Sequence, residues 1–180
     1  MVNQSDHLIE TFVNTRHIDL GEVAEEQLGT PEELTAWLRG QELLDGSEQA
    51  SRGDVRQAAE LREAIRDLLL AHNEVDTDTR AASAVLDRAA ERGRVQLRFG
   101  DCHAELVALA PGVSGALGRI AVAVQQSMAD GTWERLKACR ALDCRWVFVD
   151  ETKNGSRAWC SMSSCGNREK ARAYRRRHGH

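Results

Sequence analysis

A chain of 180 residues, 42% hydrophobic and 29% charged, holds enough apolar material for one ordinary domain and a small appendage, which excludes wholesale disorder. Its longest apolar runs, LLLA at 68–71 and IAVAV at 120–124, are too short to span a bilayer. MVNQSDHLIE has neither the basic nor the apolar region of a secretory signal, so a soluble, cytoplasmic protein without membrane contact is expected. The net charge of −4 conceals an asymmetry: residues 1–132 hold 12 basic and 23 acidic side chains (−11), residues 133–180 hold 12 and 5 (+7). An acidic body with a basic tail points to a polyanionic partner, although a basic face docked on the acidic body would carry the same charges.

HLIETFVNT (7–15) spaces Leu8, Phe12 and Thr15 for a short amphipathic helix. TPEELTAWLRG predicts the next: Thr30 caps it, Pro31 suits the first turn, Glu33 completes a capping box and Gly40 stops it. GSEQASRG (46–53) reads as a loop. Over 54–72, Ala58, Leu61, Ile65, Leu68 and Leu69 form one stripe, with the charges assigned to the far side. His72 lies on the stripe, where a lone histidine is more often a satisfied core residue or helix end than a ligand. A helix over 79–92 should bury Ala82, Val85, Leu86 and Ala89.

The period then changes to two. RVQLRF aims Val95, Leu97 and Phe99 inward, Gly100-Asp101 supplies a tight turn, and CHAELVAL is the second strand. Cys102 and His103, adjacent in that strand, should face opposite ways, which makes them a poor metal pair and Cys102 a small buried hydrophobe. A helix follows in PGVSGALGRIAVAVQQSMADG, with Leu117, Ile120, Ala121, Val124 and Met128 on one face and Gly131 closing it. The chain has no P-loop, dinucleotide-binding glycine pattern, nucleophile elbow or paired-carboxylate site, and no enzyme is expected.

The specific chemical signal is Cys139-x4-Cys144, fifteen residues, then Cys160-x4-Cys165. Two short-spaced thiol pairs are how structural zinc is commonly bound. Disulfides suit a cytosolic chain poorly, and iron–sulfur clusters usually draw on a closely packed cysteine run, so zinc is favoured over both. Between the pairs, RWVFVDETKNGSRAW reads as a hairpin: Trp146 and Phe148 alternate with Val147 and Val149, Asn154-Gly155 turns, and Ala158-Trp159 return. A knuckle, a hairpin and a helix carrying the last ligand is treble-clef organisation. A unit of about 45 residues buries too little apolar surface to fold securely alone. Bound zinc contributes on the order of 10–16 kcal/mol in such modules. Four protein ligands close the site, which leaves the metal no catalytic role.

On a helix from near Ser163, Arg168, Arg172, Arg175 and Arg176 make one basic stripe, with Lys170, Tyr174 and Arg177 toward the other side. Arg145, Lys153 and Arg157 extend the positive surface. Roughly five phosphate contacts would give a slope of log K against log salt of about −4.5. Asn167 is better placed to fasten the helix start than to read a base. Treble-clef nucleases would need a histidine-rich constellation, and the only histidines of residues 133–180 are His178 and His180.

Cys165-Gly166-Asn167-Arg168, after WCSMSSC and ahead of a basic helix, resembles the signature of the bacterial CGNR zinc-finger proteins. FVD…NGSRAWCSM fits that family's finger, with no departure at the four ligand positions. FVNTRH (12–17) followed by LGTPEELTAWL (28–38) is similar to the opening of the ABATE domain that precedes such fingers. The resemblance covers essentially the whole chain. It implies a bacterial, stress-related transcription regulator whose treble-clef finger binds DNA. It transfers the zinc-ligand role to Cys139, Cys144, Cys160 and Cys165, and a DNA-facing role to the basic helix.

The expected fold is therefore α+β: a mostly helical domain with one hairpin over 1–132, serving sensing or dimerisation, and a treble-clef zinc finger over 133–180. Structural zinc is the expected cofactor and DNA the expected partner, met by Arg168, Lys170, Arg172, Arg175, Arg176 and Arg177. One finger has a small footprint, so a homodimer is expected, with a small-molecule effector at the N-terminal domain. The alternative is a zinc-stabilised protein- or RNA-interaction module without sequence-specific DNA binding.

Overall fold

A computed structural model describes residues 3–17 and 25–178. His180 and the side chain of His17 lie outside that description. The elements run α1 (Gln4–Val13), β1 (Arg16–His17), β2 (Glu25–Glu26), α2 (Pro31–Gly40), α3 (Arg52–Ala71), α4 (Thr79–Arg92), β3 (Val95–Phe99), β4 (Ala104–Ala108), α5 (Gly112–Ala129), β5 (Leu136–Ala138), β6 (Val147–Val149) and α6 (Asn167–His178). Among the described residues the strands form three antiparallel pairs, β1–β2, β3–β4 and β5–β6, so the fold is α+β. None of the described helices is long and apolar enough to cross a membrane.

Side-chain caps set the helix starts. Thr30 and Glu33 form the predicted capping box of α2. Ser51 and Asp54 form a second one, which starts α3 at Arg52 and shortens the predicted loop accordingly. α1, α3 and α4 pack around α5, burying Ile9, Phe12, Leu61, Ile65, Leu69, Leu117, Ile120 and Val124. Each such side chain contributes roughly 1.5–3 kcal/mol through burial. Met128, expected inward on α5, is 46% exposed. Ser127 faces in instead, because its hydroxyl donates to the buried carboxylate of Asp6 at 2.6 Å.

α3 departs from the predicted segregation of charge. Arg62 and Arg66 sit on its buried side, 2% and 6% exposed. Arg62 forks onto both carboxylate oxygens of Glu26, each at 2.7 Å, which ties β2 to the helix. Burial pushes Glu26 up, but the hydrogen bonds from Arg62 and from the Leu28 amide outweigh it and leave the carboxyl below its usual range. Arg66 donates to the carbonyls of Val13, Arg16 and Arg145, each at 2.7 Å. Arg66 lies inside because these backbone carbonyls need donors, and Arg62 because the Glu26 carboxylate pairs with it.

The β3–β4 hairpin pairs in register from Val95↔Ala108 to Phe99↔Ala104. Its predicted inward face is not covered: Leu97 is 55% and Phe99 80% exposed. Only the root is anchored, where the amides of Leu109 and Ala110 donate to the Gly93 carbonyl at 3.0 Å. The outer half projects past α5. Cys102 and His103 lie in the connecting loop, before the strand begins, and Cys102 is exposed rather than buried. At the root a Cβ on Gly118 would stand 2.8 Å from the Gly93 Cα. A backbone atom cannot yield as a side chain can, so Gly118→Ala should cost about 1–3 kcal/mol in chemical denaturation.

Packing does not break at residue 132. Leu136, Ala138 and Val147 belong to the same core as Ile9, Phe12 and Ile65. β6 pairs with β5, Leu136↔Val149 to Ala138↔Val147, rather than with residues 158–159 as the sequence suggested. Asp150 decides this: its buried carboxylate accepts from Lys137 Nζ on β5 and from the Arg157 amide, both at 2.9 Å, so the return segment is held by a side chain instead of a strand ladder.

Candidate metal centre and nucleic-acid interface

The C-terminal end of α3 and the turn after α1 form a socket for β5 and β6. His72 Nδ1 bonds the Leu136 carbonyl at 3.0 Å, and its ring meets Trp133 edge-on at 5.1 Å. It is a satisfied helix end, as expected of a lone histidine there. Asn73 Nδ2 donates to the carbonyls of Ala138 and Ala158, both at 2.8 Å. Asn14 accepts from the Val147 amide at 2.8 Å and donates to its carbonyl at 2.9 Å, pairing with β6 as a strand neighbour would. Asn14 lies in the FVNTRH stretch, so that motif has a structural task in seating the finger.

From this platform the chain turns through the first knuckle. The Cys139 amide donates to Trp146 O at 2.9 Å, and Arg145 adopts φ +60 to close the loop. The second knuckle closes where the Gly166 amide donates to Ser161 O at 3.0 Å, over a π-turn at Met162–Gly166 that runs into α6. The sulfurs of Cys139, Cys144, Cys160 and Cys165 all lie within 4.8 Å of one another. Sγ of Cys144 and Cys160 are 3.5 Å apart, and those of Cys160 and Cys165 3.6 Å. Zinc with bonds near 2.3 Å sets tetrahedral sulfurs about 3.8 Å apart, so the cluster is the right size.

Its electrostatics fit a divalent cation as well. Hydrogen bonds from Cys144 and Cys160 hold the Cys139 thiol far below its usual range, while their bonds to Cys139 push both of the others up. Crowded sulfurs cannot all ionise without a cation between them. Arg168 Nε and Trp159 Nε1, on residues packed beside the cluster, are buried and find no hydrogen-bond partner among the described residues. Donors orphaned around thiols suit an anionic four-sulfur centre. Cys102, the fifth cysteine, is not part of the cluster.

The basic helix divides into two faces. Arg168 and Arg172 turn toward the first knuckle, where Asp143 accepts from Arg168 Nη2 at 3.1 Å and from Arg172 Nη2 at 2.7 Å. Arg172 also reaches Glu169 at 2.6 Å. These bonds, that from Arg172 foremost, hold the Asp143 carboxyl below its usual range. Lys170, Arg175, Arg176 and Arg177 are exposed, and no ion pair engages them among the described residues. Tyr174, 60% exposed, stacks on His178 with ring centroids 4.3 Å apart. Asn167 Nδ2 donates to the Ser163 carbonyl at 3.3 Å, fastening the start of α6. Asp143 escaped sequence reading; its position inside CRALDC was visible, but its partners lie 25 and 29 residues away.

In the body, an open groove of about 530 Å³ runs between α1, β4 and α5, lined by Leu8, Leu43, Leu106, Val122 and Ala123 with Arg119 at its edge.

No curated protein matches the chain. Residues 135–178 match the family model described as CGNR zinc finger, and residues 6–131 match ABATE, described as "Putative stress-induced transcription regulator". Neither description is that of an enzyme family. With the helical body matched over more than half the chain and a four-cysteine cluster of zinc dimensions in the matched finger, the chain belongs to the ABATE family and ends in a CGNR zinc finger.

Proposed function

We propose that the protein is a DNA-binding transcriptional regulator in which zinc, held by Cys139, Cys144, Cys160 and Cys165, fixes the start and direction of α6. The observation that carries this reading is the cationic face of α6: Lys170, Arg175, Arg176 and Arg177 stand exposed, with no ion pair among the described residues, on a helix whose other side is tied to the finger. Unpaired arginines and lysines are what phosphate contact requires. The helical body serves as the sensing or dimerising part, and the groove along β4 is the place for an effector.

Four phosphate contacts, rather than the five counted from sequence, give a slope of log K against log salt of about −3.6. The test is binding to genomic duplex fragments across a salt series, with and without a chelator. Selective enrichment that survives physiological salt and disappears on chelation is the expected result, and Arg175→Gln with Arg176→Gln should lower the slope by about 1.8. Uniform binding that fades by physiological salt would overturn the regulator reading. The exposed Tyr174–His178 stack favours one alternative, an RNA-interaction module, because aromatic faces stack on unpaired bases. Single-stranded RNA competing better than duplex would establish it.

A further inference from the structure

Arg168 carries the same charge as its neighbours on α6, but its guanidinium faces sulfur instead of solvent. Its side chain is 20% exposed. The two hydrogens on Nη2 have two acceptors, Asp143 Oδ1 at 3.1 Å and Cys165 Sγ at 3.4 Å. Nε is buried beside the same cluster without a partner among the described residues. To reach a phosphate, Arg168 would have to leave both acceptors and uncover Cys165, which is 3% exposed.

Four thiolates and one Zn²⁺ sum to −2, an excess that hydrogen bonds to sulfur relieve. Donors around a metal site also orient the ligand atoms they touch. Asp143 adds a mechanical link. It sits between the first pair of cysteines, and Arg168 and Arg172, which bind it, sit on the helix that follows the last one.

We propose that Arg168 is a positioning residue of the zinc centre and not a nucleic-acid contact. It screens the Cys165 sulfur and, through Asp143, couples occupancy of the metal site to the direction of α6. Arg172 shares the link at its outer end, 2.7 Å from Asp143 Oδ2. The inference rests on zinc binding and does not depend on what α6 meets.

The test uses the full chain loaded with zinc and two readouts: release of zinc to an excess of chromogenic chelator, and the salt slope of duplex binding by zinc-saturated protein. Arg168→Gln should release zinc about 10–100-fold faster while leaving the salt slope at the parent value. Arg175→Gln should do the reverse, releasing zinc at the parent rate and lowering the slope by about 0.9. Arg168→Lys keeps the charge but loses the fork, so its release should fall between parent and Arg168→Gln; if Arg168→Gln does not fold, this variant decides. Release at the parent rate from either Arg168 variant, or a slope lowered as by Arg175→Gln, would overturn the proposal. If no duplex binding is found at all, the regulator reading fails, and the release assay still decides this one.

Discussion

Stripping zinc with a strong chelator will melt α6 and both knuckles while the helical body stays folded. The reason lies in how little else holds the region beyond residue 159. None of the α6 residues is buried. Its first turn is fastened by the Gly166 amide on the Ser161 carbonyl, by the Asn167 side chain on the Ser163 carbonyl and by the Asp143 clamp, all close to the cysteines. Binding energy on the order of 10–16 kcal/mol is folding energy for such a segment. β5 and β6 are in a different position, because Leu136, Ala138 and Val147 are held in the body's core and His72, Asn73 and Asn14 bond their backbones. Amide exchange should therefore show protection lost over 139–146 and 160–178 but kept at β5, β6 and α3. Loss of protection throughout would mean that the metal, and not the shared core, holds the two parts together.

Asp150→Ala should cost about 3–5 kcal/mol, the range for breaking a buried ion pair by removing one partner. Asp150 is 1% exposed and Lys137 6%. The alanine variant leaves the Lys137 ammonium inside with only the Gly155 carbonyl. It also removes the acceptor for the amides of Thr152 and Arg157. Replacing both partners, Lys137→Met with Asp150→Leu, should recover part of the loss, since no charge is then buried alone. Full recovery is not expected, because the two amides stay unpaired. The pH dependence follows in sign. Burial pushes the Asp150 carboxyl up, but hydrogen bonds from Thr152, Lys137 and Arg157 outweigh it and leave it well below the carboxylate range. A group whose folded value is depressed gives its full stability above the unfolded value, about 3.9, and loses it as pH falls through the folded value. Urea titrations from pH 6 down to pH 2 should fall more steeply for the parent than for Asp150→Asn. Equal slopes would show that Asp150 makes no such contribution.

What could be read from the sequence was local. The capping box at Thr30 and Glu33, the stripe of α3 and the two cysteine pairs each depend on residues within a few positions of one another, and each appears as expected. What could not be read depends on pairing across the chain. The inward side of Arg62 is set by Glu26, 36 residues earlier, and that of Arg66 by carbonyls on α1, β1 and the finger. Alternation in RVQLRF marked an apolar face correctly but could not show that the hairpin outruns the helix meant to cover it. In the finger, β5 was invisible because three residues, LKA, are too few for a periodic signal. The division of the arginines on α6 follows chiefly from Asp143, which engages both Arg168 and Arg172, one acidic residue that charge counting treats as a single subtraction.

The unbroken core under β5 and β6 bears on portability. Cut at residue 133 and attached to another protein, the finger would carry Leu136, Ala138 and Val147 into water and leave the Asn14 and Asn73 amides without their carbonyls. Swapping fingers between relatives would therefore require matching the socket at the end of α3 and the turn after α1, not only the four cysteines. The unit that can be exchanged is the outer shell, the knuckles and α6, grafted onto a β5–β6 platform that stays with its own body.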